Sequence, residues 1–251
     1  PDSYTGALVE RVRIEYADSG SGIAPESVAA TIDGAALSRE GWTVTATAAE
    51  GPLVPPVGDG VHALVASVRD RAGNTATARA PFIVDTLPPA VTLDSPADGS
   101  YHKTSPVTLG GTVMDVDPQV SVRCLREGAE AAATLSGTAF TCALPLAEGQ
   151  NVVRAEGRDR LSRVGASEPR TLHLDTKAPE IVFTEPAPGS PVTGTTVDVR
   201  GEVKDASPIA WVKVAGREAQ VSGTTFTATG IPIGDVLRVL KGLAGAGFGV
   251  V

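Results

Sequence analysis

From Leu8 to Tyr16, the apolar residues Val12, Ile14 and Tyr16 alternate with Arg11, Arg13 and Glu15. A period of two sends one face of a strand into a core and the other into water. Ser19-Gly20-Ser21-Gly22 breaks this first run. A second extended stretch, Ser27 to Ile32, ends at Asp33-Gly34, a dipeptide suited to a two-residue hairpin turn. A third strand is expected at Thr43 to Ala48, and the Pro/Gly-rich stretch Gly51 to Gly60 reads as a break. Leu64, Ala66 and Val68 then share one face of His62 to Asp70, and Arg71-Ala72-Gly73-Asn74 turns the chain into Thr75 to Val84.

The same pattern predicts strands at Ala90 to Leu93, Val107 to Val113, Val120 to Leu125, Thr138 to Ala143, Asn151 to Arg158 and Arg170 to Leu174. It predicts four more at Ile181 to Thr184, Val197 to Val203, Ala210 to Val214 and Thr224 to Thr229. The alanine-rich insert Gly128 to Thr134 reads as a hairpin extension or loop. Gly234 to Leu240 lies on Gly149 to Glu156 as a shortened strand, with a two-turn amphipathic helix as the competing reading, and Gly242 to Val251 shows no recognisable last strand. Many short strands with regular turn signals, and almost no helical period, indicate an all-β sandwich architecture.

One stretch organises the rest. Asp85-Thr86-Leu87-Pro88-Pro89, with Pro96-Ala97-Asp98-Gly99-Ser100, returns 90 positions later as Asp175-Thr176-Lys177-Ala178-Pro179 with Pro186-Ala187-Pro188-Gly189-Ser190. The register holds through Val107/Val197, Gly111/Gly201, Val113/Val203, Asp115/Asp205 and Pro118/Pro208. A fixed offset over such a length marks a tandem array. The expected modules are 1–85, 86–175 and 176–251. The first lacks a counterpart of the Pro96 to Ser100 opening and so of a first strand, and the third ends atypically. A sandwich short of an edge strand exposes a pairing template, so either the chain is truncated or a neighbouring chain supplies the strand.

Val68-Arg69-Asp70-Arg71-Ala72-Gly73-Asn74-Thr75, then Phe82-Ile83-Val84-Asp85-Thr86 and Pro88-Pro89, resembles bacterial immunoglobulin-like repeats of exported and surface proteins. Asp18-Ser19-Gly20-Ser21-Gly22-Ile23 with Ser27-Val28 and Ile32-Asp33-Gly34 is similar to a second hallmark of those repeats. The resemblance covers residues 1 to 232. It departs at Arg160-Leu161-Ser162-Arg163, where the alanine-glycine-asparagine turn is absent. It implies an all-β tandem array of immunoglobulin-like β-sandwich modules, serving as stalks, adhesin segments or accessory modules beside catalytic domains.

Composition narrows the partners. The net charge of −8 opposes binding of nucleic acid, which requires a basic face to displace counterions. No run of 18 apolar residues occurs, so no membrane span is expected. The chain opens on Pro1 without an initiator methionine or a signal peptide, and is read as a piece of something longer. Aromatic residues make up only 4%, so the cores rest on aliphatic side chains, each contributing about 1.5–3 kcal/mol when buried. Cys124 and Cys142 share one repeat and are replaced together in the next by Val214 and Ala228. That joint loss predicts a disulfide and an oxidising, exported setting; the other reading is two small buried hydrophobes.

Acidic residues recur at the module ends: Asp70, Asp85, Asp115 and Asp117, then Asp159, Asp175 and Asp205. Carboxylates from two loops and a hinge suit a hard cation, and calcium takes six to eight oxygen ligands. The expected ligands are Asp70, Asp85, Asp115, Asp117, Asp175 and Asp205, and the resemblance allows calcium because some arrays of this kind are stiffened by it. The opposing reading is plain turn chemistry, and Asp117 becomes Ser207 in the next repeat. Pro88-Pro89 predicts a semi-rigid joint. His62, His102 and His173 show no metal spacing, and no Gly-x-Ser-x-Gly elbow stands between a strand and a helix. Trp42 and Trp211 are read as core or edge residues, with sugar stacking as the alternative.

The chain is therefore expected to be a non-catalytic spacer or adhesion segment at the bacterial cell surface, with surface proteins or polysaccharide as partners. One alternative is an accessory, carbohydrate-binding part of a secreted hydrolase. The other is a self-assembling surface subunit completed by strand exchange.

Overall fold

The computed structural model describes residues 3–187 and 190–233. The expectations for Gly234 to Leu240 and Gly242 to Val251 lie outside the described residues. The described residues form two compact units: 3–98, 106–145 and 152–170, and 99–105, 146–151, 171–187 and 190–233.

In the first unit, residues 3–84 make eight strands. These are β1 (Ser3–Thr5), β2 (Val9–Glu15), β3 (Ala29–Ile32), β4 (Ala35–Ala36), β5 (Thr43–Val44), β6 (Ala48–Val57), β7 (Gly60–Arg69) and β8 (Thr75–Val84). They form a five-stranded sheet, β1-β8-β7-β3-β4, and a three-stranded sheet, β2-β6-β5. β1 runs parallel to β8; the other pairings are antiparallel. The Asp33-Gly34 turn has φ of 52° and 83° at its two residues, as a mirror-image hairpin turn requires. Val12, Ile32 and Leu53 form one buried cluster, with Val9, Ile14, Leu37, Trp42, Val57, Leu64 and Phe82 packed around them, and Ile23, Val28, Ala30, Ala49 and Val84 are buried as well.

The expected break at Gly51 to Gly60 is a strand instead, because β6 continues to Val57. Its prolines are tolerated because β5 pairs only with Ala49 and Glu50. Beyond Glu50 one edge of β6 has no strand partner among the described residues, and a missing N–H costs no ladder bond there.

The following stretch continues with β9 (Ala90–Ser95), β10 (Ser100–His102), β11 (Val107–Met114), β12 (Ser121–Arg126), β13 (Ala129–Ala132), β14 (Thr134–Ser136), β15 (Ala139–Leu144), β16 (Gly149–Arg158), β17 (Val164–Ala166) and β18 (Arg170–Leu174). Within the first unit β14-β15-β11-β9 form one sheet, and β13-β12-β16 with β17 on β16 belong to another. The alanine-rich insert is the hairpin extension β13, paired with β12 from Arg123↔Ala132 to Arg126↔Ala129. Alternation holds here: Val107, Leu109 and Val113 of β11 and Phe140, Cys142 and Leu144 of β15 are all buried. Cys124 of β12 and Cys142 of β15 form a disulfide joining the two sheets, with Cα atoms 6.4 Å apart.

In the second unit β10 pairs parallel with β18. The remaining strands are β19 (Glu180–Glu185), β20 (Thr196–Lys204), β21 (Lys213–Val214), β22 (Arg217–Glu218), β23 (Gln220–Ser222) and β24 (Thr225–Pro232). They form a β19-β20-β24-β23 sheet and a β21-β22 pair. Val199, Val203, Val212, Val214, Ala219, Phe226, Ala228 and Ile231 make its core. The strand expected over Ala210 to Val214 shortens to β21. No helix long and apolar enough to cross a membrane occurs among the described residues.

Candidate functional site

The site grows from three strand ends in the first unit. β8 closes on fully buried Val84, and the next residue, Asp85, extends the parallel ladder by donating its N–H to the Thr5 carbonyl at 3.0 Å. Its side chain turns inward, where Oδ2 accepts the Tyr4 hydroxyl at 2.5 Å. β11 delivers Asp115, whose Oδ1 accepts the Asp117 N–H at 2.9 Å, and Asp117 Oδ1 accepts the Gln119 N–H at 2.9 Å. β16 delivers Asp159, whose Oδ1 accepts the Arg163 N–H at 2.8 Å. That bond closes a tight turn in which Ser162 is left-handed, with φ 67°.

Asp85, Asp115 and Asp117 thus each spend one oxygen on holding the backbone or on Tyr4 and keep a second, whereas Asp159 gives its second oxygen to Arg163 Nη1 at 3.5 Å. Asp85 Oδ1, Asp115 Oδ2 and Asp117 Oδ2 are buried without a hydrogen-bond donor. Asp85, Asp117 and Asp159 are 1%, 1% and 5% exposed. Buried carboxylate oxygens left in this state are costly unless charge is supplied to them.

Two arginines supply part of it. Arg160 Nε lies 3.2 Å from Asp117 Oδ2, and its guanidinium covers the Tyr4 ring. Arg163 Nη1 lies 3.5 Å from Asp159 Oδ2 and 3.7 Å from Asp85 Oδ1, while its Nη2 donates to the Gly6 carbonyl. Four carboxylates against two guanidiniums leave two negative charges. Burial, and then the charges of Asp85, Asp159 and Asp117, push Asp115 above its ordinary value, against the bond from the Asp117 N–H. Burial and the bond to Asp85 raise Tyr4 too, keeping it a donor.

One oxygen each from Asp85, Asp115 and Asp159 lies within 4.8 Å of the others. Two oxygens on one calcium ion, each at 2.3–2.6 Å, stand at most about 5 Å apart. The donor set fits a hard divalent cation in atom type, spacing and charge, with Asp85, Asp115 and Asp159 as the residues able to hold it.

The hinge leading from the site is fixed as well. Thr86 donates its N–H and hydroxyl to Asp59 Oδ1 and Oδ2, at 2.5 and 2.9 Å. A Cβ built on Gly165 would fall 1.7 Å from the Pro89 carbonyl oxygen, so β17 and Pro89 fit together only through glycine.

The other predicted ligands lie elsewhere. Asp70 belongs to a turn, accepting the Asn74 N–H at 2.8 Å and its side-chain amide at 2.7 Å, which hold it below the ordinary carboxylate range. In the second unit Asp175 Oδ2 accepts the Ser207 hydroxyl at 2.6 Å and Oδ1 the Lys177 N–H at 3.1 Å. Asp205 Oδ1 accepts the Ser207 N–H at 3.4 Å. Where the first hinge sets Asp117 beside its cluster, the second sets a hydroxyl, whose bond chiefly holds Asp175 below its ordinary value. Thr176 is held by Glu148 just as Thr86 is by Asp59, at 3.1 and 3.0 Å.

Sequence reasoning missed Tyr4, Asp59, Glu148, Arg160 and Arg163, and named Asp70 rather than Asp159 together with Asp85 and Asp115, whereas the carboxylate oxygens that lie together are those of Asp85, Asp115 and Asp159. The departure at Arg160 to Arg163 was the visible signal, since it exchanges a plain turn for two cations. His62 bonds Asp33 at 2.7 Å, His102 bonds Ser100 at 3.0 Å, and His173 stacks on Tyr101 at 4.6 Å. Trp42 is packed against Gly51 and bonded to the Pro52 carbonyl, whereas Trp211 is 46% exposed with Lys213 over its ring.

No family model matches the chain. Among curated proteins, Bacillopeptidase F of Bacillus subtilis (strain 168) is 30% identical over 162 residues, 63% of this chain but only 11% of that protein. Among solved structures, an ICAM-5 D1-D4 ectodomain fragment is 18% identical with a TM-score of 0.50, covering 92% of this chain and 66% of its own. The tetra-tandem repeat in the extending region of a large adhesion protein is 22% identical with a TM-score of 0.37, covering 84% and 60%. The chain is an all-β tandem array of immunoglobulin-like β-sandwich modules.

Proposed function

We propose that this chain is a non-catalytic segment of an exported bacterial protein, in which immunoglobulin-like modules at 1–85, 86–175 and 176–251 act as a cell-surface spacer or adhesive stalk, and that calcium at Asp85, Asp115 and Asp159 fixes the first hinge. The observation that carries this reading is the hinge itself. Asp85, Thr86 and Pro89 are each tied to a different strand or turn, and the buried oxygens around Asp85 lack two positive charges. The disulfide supports an exported setting.

Metal ions in such a place act by linkage: what binds the folded state alone stabilises it. Asp85, Asp115 and Asp159 would hold the ion, which would supply positive charge to their oxygens; Tyr4 orients Asp85, Asp117 is paired with Arg160, and Arg163 lies against Asp85 and Asp159. A second reading, an accessory module beside a catalytic domain, is favoured by the identity with a protein whose name is that of a peptidase. Polysaccharide and surface proteins are the partners proposed under either reading, with exposed Trp211 and Tyr101 as contact residues.

Thermal unfolding and small-angle scattering in calcium and in chelator test the proposal. Calcium raises the melting temperature and narrows the distribution of particle lengths. If neither quantity responds, the aspartates are turn residues and the joint is set by Pro88-Pro89 with the Thr86–Asp59 bonds and the Pro89–Gly165 contact.

A further inference from the structure

We infer that His62 makes the first hinge pH-sensitive: with both ring nitrogens protonated it ties down the loop from which Asp59 clasps Thr86, and deprotonation loosens that clasp. The matching clasp at the second hinge stays fixed. The inference goes beyond the calcium reading and does not depend on it, since none of the proposed ligands takes part.

The two clasps are built alike. Asp59-Gly60-Val61-His62 returns 89 positions later as Glu148-Gly149-Gln150-Asn151. Asp59 accepts the N–H and hydroxyl of Thr86, and Glu148 those of Thr176. In each, the side chain three positions after the carboxylate reaches back to the carbonyl just before it. His62 Nε2 lies 3.0 Å from the Gly58 oxygen, and Asn151 Nδ2 lies 2.8 Å from the Ala147 oxygen. Glycines 58 and 60 flank Asp59, and glycine leaves a backbone free to move. The position of the Asp59 carboxylate therefore depends on this tie.

The ties differ in chemistry. Asn151 is 5% exposed, and its amide also accepts the Ala147 N–H and donates to the Gly149 carbonyl, both at 2.9 Å. An amide keeps its donors and its acceptor as pH changes. His62 faces an acceptor on each side, the Gly58 carbonyl at Nε2 and Asp33 Oδ2 at 2.7 Å from Nδ1. A neutral imidazole carries one N–H, so either tautomer sets a nitrogen lone pair against an oxygen; the imidazolium donates to both.

The surroundings decide which bond is lost. Asp33 reaches the ring from the β3–β4 turn, where its Oδ1 accepts the Ala63 N–H at 2.9 Å. The bond from His62, then that from Ala63, hold Asp33 below its ordinary value, so it remains a charged acceptor where an imidazole titrates. β8 presents the uncharged ring of Phe82, with centroids 5.3 Å apart, and the β6–β7 loop presents the Gly58 carbonyl with Asp59 beside it. The His62 side chain is 15% exposed, which leaves little water to replace a missing partner. An imidazole loses its second proton between about pH 5 and 8. The carboxylate, as the stronger acceptor, keeps the remaining N–H, and the bond to Gly58 is the one given up. The first clasp is thus closed in acid and weakens as pH rises through that range.

The test follows the Thr86 and Thr176 amides by NMR in the intact chain, in chelator, from about pH 5 to 8. With exchange rates corrected for their intrinsic pH dependence, protection of Thr86 is expected to fall by about threefold to tenfold in step with the His62 ring, as for one lost hydrogen bond, while Thr176 stays constant. His62→Asn, which places the Asn151 arrangement in the first loop, removes the pH dependence. Circular dichroism checks that this variant is folded, and titration of the unaltered chain decides the matter if it is not. The inference is overturned if Thr86 does not follow the ring, or if Thr176 changes alongside it. It is equally overturned if the response persists in His62→Asn, which would trace it to the carboxylates of the hinge. Because chelator is present throughout, failure here leaves the calcium reading standing, and failure to bind calcium leaves this one standing.

Discussion

Asp115→Asn distinguishes a cation site from a cluster of turn residues, because the two readings give it opposite effects in the two buffers. Asp115 Oδ1 caps its own turn, and an amide oxygen accepts that bond equally well. Its other oxygen is buried without a donor, with carboxylate oxygens of Asp85 and Asp159 within 4.8 Å. A like-charge pair at that distance costs about 3 kcal/mol at an effective dielectric of 20. Asp115 is partly exposed, so solvent screening reduces the two pairs to a combined cost of about 1–2 kcal/mol. Removing the charge in chelator therefore raises the melting temperature of the first unit, by roughly 2–8 °C for a body of this size. In calcium at a hundred times its Kd, the unaltered chain gains about 2.7 kcal/mol, or roughly 5–11 °C. The variant has lost a ligand and gains little, so the order of stabilities reverses. Calorimetry of both proteins in both buffers reads this directly. If the variant is less stable in chelator and shifts in parallel with the unaltered chain in calcium, the reasoning fails.

Other consequences are simpler. Cys124→Val with Cys142→Ala reproduces the pair found at buried Val214 and Ala228; the fold is retained with a loss of about 2–4 kcal/mol on denaturant unfolding, and a collapsed fold would show the disulfide to be indispensable. Asp115 titrates above its ordinary value in the cation-free protein, so the stability tied to its protonated form is present at low pH and fades as pH rises through that raised value. Asp175 is held low, and its contribution is lost only as pH falls through the depressed value. Melting in chelator should therefore improve from neutral pH down to the ordinary carboxylate range and worsen below it, while in calcium the first improvement gives way to a loss because protons compete with the ion. Gly165→Ala forces β17 away from the Pro89 carbonyl, costs about 1–3 kcal/mol, and opens Leu87 to proteases; unchanged stability would mean that the hinge is not clamped there.

The fold was legible because a strict alternation leaves little choice. The residues of β11 and β15 that alternate in sequence are those buried in the structure, and the repeat offset put Val214 and Ala228 at the places of the two bonded cysteines. Short strands were less legible. β1 and β10 have three residues each and are fixed by parallel pairing with β8 and β18, a long-range partnership with no local period. β6 was misread because proline reads as a break, while an open edge tolerates it. At the site, Asp85, Asp115 and Asp117 could be picked out because they recur near turns. Asp159 occupies in its turn the place Asp70 holds in the earlier one, and both cap the residue four positions on. Only the three-dimensional path decides which of the two turns faces the hinge. Arg163 and Tyr4 reach Asp85 from 78 and 81 residues away, a separation at which sequence pattern carries no signal.

Titration calorimetry of calcium into the intact, chelator-stripped chain tests the central claim most directly. One ion per chain is predicted, lost on Asp85→Asn and unaffected by Asp175→Asn, because the first hinge carries orphaned carboxylate oxygens while Ser207 already satisfies the second. No binding, or binding that survives Asp85→Asn and disappears with Asp175→Asn, would contradict it.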